Sequence, residues 1–136
     1  MVKRTLRQSQ DRSKYKDFKQ VAENFFQGAE AAKEFEYWNA AGVLIVHAAI
    51  AYTDALTIKV GGVKSKGEDH MAAIDLVREV VNLSENSLNS LRHFSDLINQ
   101  KNLVSYSGEI YAKKDIEMMW KKLVRYRDWI VTLLDR

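Results

Sequence analysis

Cysteine and proline are both absent from these 136 residues. Without thiols the chain has no disulfides and no thiolate metal sites, and a reducing, cytoplasmic setting is expected. Without proline nothing removes a backbone N–H donor from a helix interior, which permits long helices without establishing them. Histidine is scarce as well. His47, His70 and His93 stand far apart and offer little for a metal site, so no metal and no cofactor are expected. Long hydrophobic runs are also missing. The longest, Ala40 to Ala51, contains His47 and falls short of the roughly 20 residues that span a bilayer, so no membrane association is expected. The N-terminus lacks an apolar stretch that would act as a signal peptide.

What is present is a globular composition, 46% hydrophobic and 29% charged, in a chain the size of one domain. The net charge of +3 is unevenly placed: the first twenty residues carry +5 and the remainder −2. Residues 1–13 are therefore expected to be a flexible basic arm, either a solvated tail or a segment that meets phosphates or an acidic partner. Residues 14–136 are expected to form one domain.

Periodicity supplies the elements. Tyr15, Phe18, Ala22, Phe25, Ala29 and Ala32 recur at steps of three and four, predicting a helix over Lys14–Phe35 with Ser13 as its cap. From Trp38 to Val60 almost no polar face remains, so this segment is expected to be a central helix covered on most sides. Gly61 and Gly62 stop it, and Asp69 is placed to cap the next helix, which carries Met71, Ile74, Val77 and Val81 on one face. Asn82 to Ser84 are either a break or a continuation. Leu88, Leu91, Phe94 and Ile98 mark a fourth helix, Gln100 to Gly108 a connection, and Ile116, Met119, Leu123, Tyr126, Ile130 and Leu133 a last one. The prediction is an all-α fold, an up-and-down antiparallel bundle of about five helices.

Few side-chain constellations stand out. Gly61 to Gly67 with Lys64 and Lys66 has the makings of a phosphate cradle, but Glu68 follows Gly67 and a helix precedes the loop, so it falls short of a P-loop. His47 and Asp54, seven apart on the most apolar helix, project from one side. They are either satisfied core polarity or the lining of a cleft. Lys101, Asn102, Ser105 and Tyr106 crowd hydrogen-bonding groups and a ring able to stack on a base into one corner, beside the plainer reading of a turn that starts the last helix. Lysines and arginines on the last helix alternate with acids, a mixed solvated face. Trp120 and Trp129 fall outside its main apolar steps and are expected to form a homodimer contact.

Three of these stretches resemble the HEPN superfamily, helical bundles named for higher eukaryotic and prokaryotic nucleotide binding. They are the alanine-rich Ala48 to Leu56, the glycine-containing loop reaching His70, and Lys101-Asn102 leading to Ser105-Tyr106-Ser107-Gly108. The resemblance spans roughly Phe18 to Leu134. It implies an HEPN-like bundle with a polar groove lined by Lys101, Asn102, Ser105, Tyr106, His47 and Asp54, with Lys64, Lys66 and His70 as further loop candidates. In the ribonuclease members an arginine is followed by a polar residue and, after four to six more, by a histidine. Here Lys101 stands at the arginine position, Asn102 keeps the polar one, and no histidine follows. Lysine keeps the charge without the bidentate fork, and serine does not replace an imidazole. The resemblance thus implies a non-catalytic module that binds RNA, a nucleotide or a protein partner. Its alternatives are a ribonuclease or toxin with an atypical site that recruits His47 or His70, and the partner of a small nucleotidyltransferase.

Overall fold

A helix that is apolar on nearly every side has to be enclosed, and the computed structural model, which describes residues 7–66, 70–81 and 85–136 (backbone alone at 70, 71, 85 and 86), is arranged around one such helix. The elements are β1 (Arg7–Ser9), a single tight turn at Arg12–Lys14, α1 (Tyr15–Glu34), α2 (Trp38–Gly61), β2 (Val63–Ser65), α3 (His70–Val80), α4 (Glu85–Ile98), α5 (Lys101–Tyr106) and α6 (Lys113–Leu134). The four longest helices alternate in direction. α1 runs antiparallel to α2, with Gly28 against Leu44 and Phe25 against His47. α4 runs antiparallel to α6, where Phe94 stacks on Tyr126 at 5.2 Å and Lys122 reaches Asp96 at 2.9 Å. α2 and α6 lie side by side and parallel: Ile116 meets Gly42 at one end and Lys59 Nζ donates to the carbonyl of Leu134 at the other. The fold is all-α, as the periodicity predicts.

Polar groups tie the layers where apolar packing alone would leave them unpaired. Thr53 and Tyr126 share a buried hydroxyl–hydroxyl hydrogen bond of 2.5 Å, and Thr53 Oγ1 also donates to the Ala49 carbonyl. A hydroxyl buried there without a partner would cost about 1–3 kcal/mol. Arg127 binds both carboxylate oxygens of Glu23 at 3.0 Å, donates to Tyr52 Oη at 2.9 Å and lies over the Phe26 ring, so one guanidinium joins α1, α2 and α6. Nη2 alone reaches both Glu23 oxygens while Nε serves Tyr52, so the planar guanidinium holds two partners on different helices at once.

Several sequence expectations change. Arg7–Ser9 of the expected flexible arm is a strand, paired antiparallel with Val63–Ser65, and Arg7 bonds Glu79 through both terminal nitrogens at 2.7 and 2.8 Å. The first turn before α1 is capped by Asp11, whose carboxylate accepts from the backbone N–H and the hydroxyl of Ser13; Ser13 is the residue capped and not the cap. Gly62 ends α2 in the left-handed conformation (φ 65°) as expected, and its amide donates to Ile58. The predicted connection Gln100–Gly108 is mostly the short helix α5. Trp120 and Trp129, which the apolar steps of the last helix leave out, are engaged within the chain: Trp120 packs on Phe26 at 4.7 Å, and Trp129 Nε1 donates to Ser87 Oγ. α2 does have the length and mean hydropathy to cross a bilayer, yet 72% of its apolar window is buried within the fold. Asp69 and Asn82–Ser84 lie outside the described residues.

Two helices approach each other closely at Gly42. A Cβ there would sit 2.6 Å from Val104 Cγ2 and 3.2 Å from Ile116 Cδ1, so glycine is what lets α5 rest directly on α2. Gly42→Ala is therefore expected to destabilise the protein by about 1–3 kcal/mol in chemical denaturation. Gly42→Ala combined with Val104→Ala should cost less than the two single changes added together, the coupling that direct contact requires.

Candidate functional site

Between Ala41 and Ile58 every residue of α2 is buried except Val43, Leu44, His47, Ile50 and Asp54. Apart from Leu44, these follow one another at steps of four, three and four, and with the exposed Ala40 they form one narrow line along the helix. His47 and Asp54, the two residues between Ala41 and Ile58 whose side chains titrate below pH 8 in free solution, thus fall on the single stripe that the neighbours of α2 leave partly open. Within that stripe His47 and Asp54 each have their own surroundings.

His47 lies against the Phe25 ring of α1, with centroids 5.9 Å apart. Burial, together with the positive charge of Lys101 nearby, holds its imidazole below the ordinary value near 6.5, so it is neutral at pH 7. Lys101, from a different helix, is thus near enough for its charge to act on His47. Lys101 is half-buried, while Asn102, Ser105 and Tyr106 are exposed on the outer faces of α5, Tyr106 to 82%. Ser107 closes the helix by donating to the Leu103 carbonyl and accepting from the Glu109 amide.

Asp54 sits two turns away, roughly 10 Å along the axis. Its partner is Lys64 of β2, with Nζ 4.0 Å from the carboxylate; the same ammonium donates to the Ser65 carbonyl and faces the Phe18 ring. Burial pushes the Asp54 carboxyl up to about 7, a rise that Lys64 only partly offsets. Lys64 is thus engaged with Asp54, Lys66 is exposed, and the His70 side chain lies outside the described residues. Among the described residues no group of acids and histidines is placed to hold a metal ion. The glycines after α2 serve as a helix stop and a strand junction, where Gly62 accepts from the Gln10 amide.

Sequence reasoning missed the brace that positions this corner. Asn39, in the first turn of α2, donates through Nδ2 to the carbonyls of Val104 and Glu109 and accepts from the Tyr111 amide through Oδ1. One side-chain amide fixes both ends of the α5–α6 connection to the start of α2. Tyr111 Oη adds a 2.5 Å bond to Gln100 Oε1. A lone asparagine at the head of an apolar run was the available signal. The same corner carries a cavity of about 470 Å³ between α4, α5 and the start of α6, with Leu97, Leu103, Ile110, Tyr111, Met118 and Met119 as its apolar lining. Lys101, Asn102, Ser105 and Tyr106 do not line it. No protein-family model, no curated protein and no solved structure matches this chain.

The Asp54 carboxyl holds its proton more tightly in the folded chain than in the unfolded one, so its ionisation opposes folding. Its contribution to stability falls as pH rises from about 4 to about 7 and stays low above that. Asp54→Asn removes the ionisation and keeps the shape. The variant is expected to be more stable than the parent by on the order of 2–4 kcal/mol at pH 8, the difference shrinking steadily towards pH 4 in denaturant titrations.

Proposed function

We propose that this chain is a non-catalytic, HEPN-like binding module that takes RNA or a nucleotide at the junction of α2 and α5. The observation that carries this reading is the exposure of Asn102, Ser105 and Tyr106 on one short helix that begins at Lys101, whose charge acts on His47 of α2. An ammonium is a point charge suited to a phosphate. Tyr106, with four-fifths of its surface in solvent, offers a ring on which a base stacks, a contact worth about 1–3 kcal/mol in other single-strand binders. Asn102 and Ser105 supply donors and acceptors for base edges or a ribose hydroxyl. The absence of an arginine–histidine ribonuclease motif from the sequence supports binding without cleavage.

Lys101→Ala and Tyr106→Ala change surface side chains and are expected to leave the fold intact. Each should weaken binding of a short single-stranded RNA or of ATP by about five- to tenfold, measured by fluorescence anisotropy or calorimetry at fixed low salt. Binding unchanged in both variants would remove this corner from the reading.

One observation favours a second reading, an atypical ribonuclease. His47, recruited from α2, is held neutral beside a cation, which is what a general base for a ribose hydroxyl requires. On this reading purified protein cleaves RNA at neutral pH, the rate falls as acid protonates His47, and His47→Gln abolishes it. Intact RNA after prolonged incubation of the parent leaves the binding module standing alone.

A further inference from the structure

The cavity beside α5 belongs to neither His47 nor Lys101, and its chemistry differs from theirs. Its apolar wall continues outwards on to solvent: Ile110 is 89% exposed, Met118 61% and Leu103 42%. Isolated exposed apolar side chains are ordinary, but three that share one cavity mouth form a continuous surface. The charges facing it are Asp96, Glu109, Asp115 and Lys122. Lys122 is bonded to Asp96 at 2.9 Å, so that pair is neutral and Glu109 and Asp115 leave the mouth negative. The Tyr111 hydroxyl registers this field: it is held above its ordinary value by burial first and by Glu109 and Asp115 next. Acidic rim, apolar floor and a cavity of about 470 Å³ are together the counterpart of a basic, amphipathic segment. A phosphate-bearing ligand meets repulsion there.

We propose that the cavity between α4, α5 and α6 docks a partner protein through an amphipathic helix that presents leucine-like side chains flanked by lysine or arginine. The apolar side chains enter between Leu103 and Met118, and the basic ones reach Glu109 and Asp115. Ile110 closes over the bound helix from the loop before α6. Burying a large apolar anchor in a preformed pocket, ringed by complementary charge, is how interface energy concentrates in a few residues. This surface is separate from the RNA or nucleotide site proposed above, so either stands if the other fails.

The test uses the full chain and a synthetic peptide of about four helical turns, with leucines at helical spacing and lysines on its flanks. Controls are the same peptide with glutamates for lysines and one with serines for leucines. Titration followed by anisotropy is expected to give saturable binding of the basic peptide at about 10–100 μM, with both control peptides at least about tenfold weaker. Ile110→Ser and Glu109→Lys, exposed positions whose change leaves melting unaltered, should each weaken the basic peptide by about tenfold, while Lys101→Ala and Tyr106→Ala do not. Methyl shifts confined to Leu103, Met118 and Met119 would locate the bound peptide. No saturable binding below about 1 mM, equal binding of the glutamate peptide, or full affinity in both surface variants would each overturn the proposal. So would displacement of the basic peptide by an RNA that binds in its place.

Discussion

Enclosure of α2 is the constraint on which the rest of the structure depends. Its length and hydropathy would suit a lipid bilayer, and in this fold the place of lipid is taken by α1 on one flank, α6 and α4 on others, and α5 pressed on to Gly42. Once those helices are placed, one line along α2 remains open, and the residues on it are the ones that tolerate water: His47, Asp54 and three aliphatic neighbours. The pKa of each follows from how far the enclosure closes over it. His47 is covered enough to stay neutral, and Asp54 enough to hold a proton near neutrality despite Lys64. Packing and electrostatics here are one arrangement seen from two sides.

The polar contacts inside the bundle follow the same logic. Thr53 with Tyr126, and Arg127 with Glu23 and Tyr52, occur where α6 crosses α1 and α2 and where apolar contact alone would leave donors unpaired. They fix the relative height of parallel helices, which smooth alanine-rich surfaces specify weakly. Asn39 does the same at the other end. A single amide holding three backbone groups turns the stretch from Val104 to Tyr111 from a slack connection into a rigid corner.

Much of the fold was readable because helical periodicity survives without knowledge of neighbours. The apolar steps of α1, α4 and α6 and the glycine stop after α2 all fall where the pattern puts them. What was illegible depends on contacts between residues far apart in sequence. The strand at Arg7–Ser9 exists because Val63–Ser65 offers it a partner and Glu79 an ion pair; three polar residues near a terminus announce neither. Trp120 and Trp129 look surplus to the apolar face of α6 because the face they serve is set by Phe26 and Ser87 on other helices. For the candidate site, the sequence shows the residue types but not their neighbours in the fold. His47 feels the charge of Lys101, whereas Asp54, two turns along the same stripe, is held by Lys64. Nothing in the local pattern distinguishes those surroundings.

The two ends of the described chain emerge at the same pole of the bundle. Residues 7–10 are tied to Gly62 and β2, and the last turn of α6 is held by Lys59, with Asp135 reaching Lys19. Asn39, α5 and the cavity occupy the opposite pole. A segment attached directly at Arg7 or at Arg136 therefore starts from the pole opposite Asn39, α5 and the cavity. Joining Arg7 to Arg136 by a linker and opening the chain at an exposed turn elsewhere should likewise preserve the bundle, since no helix would have to change direction.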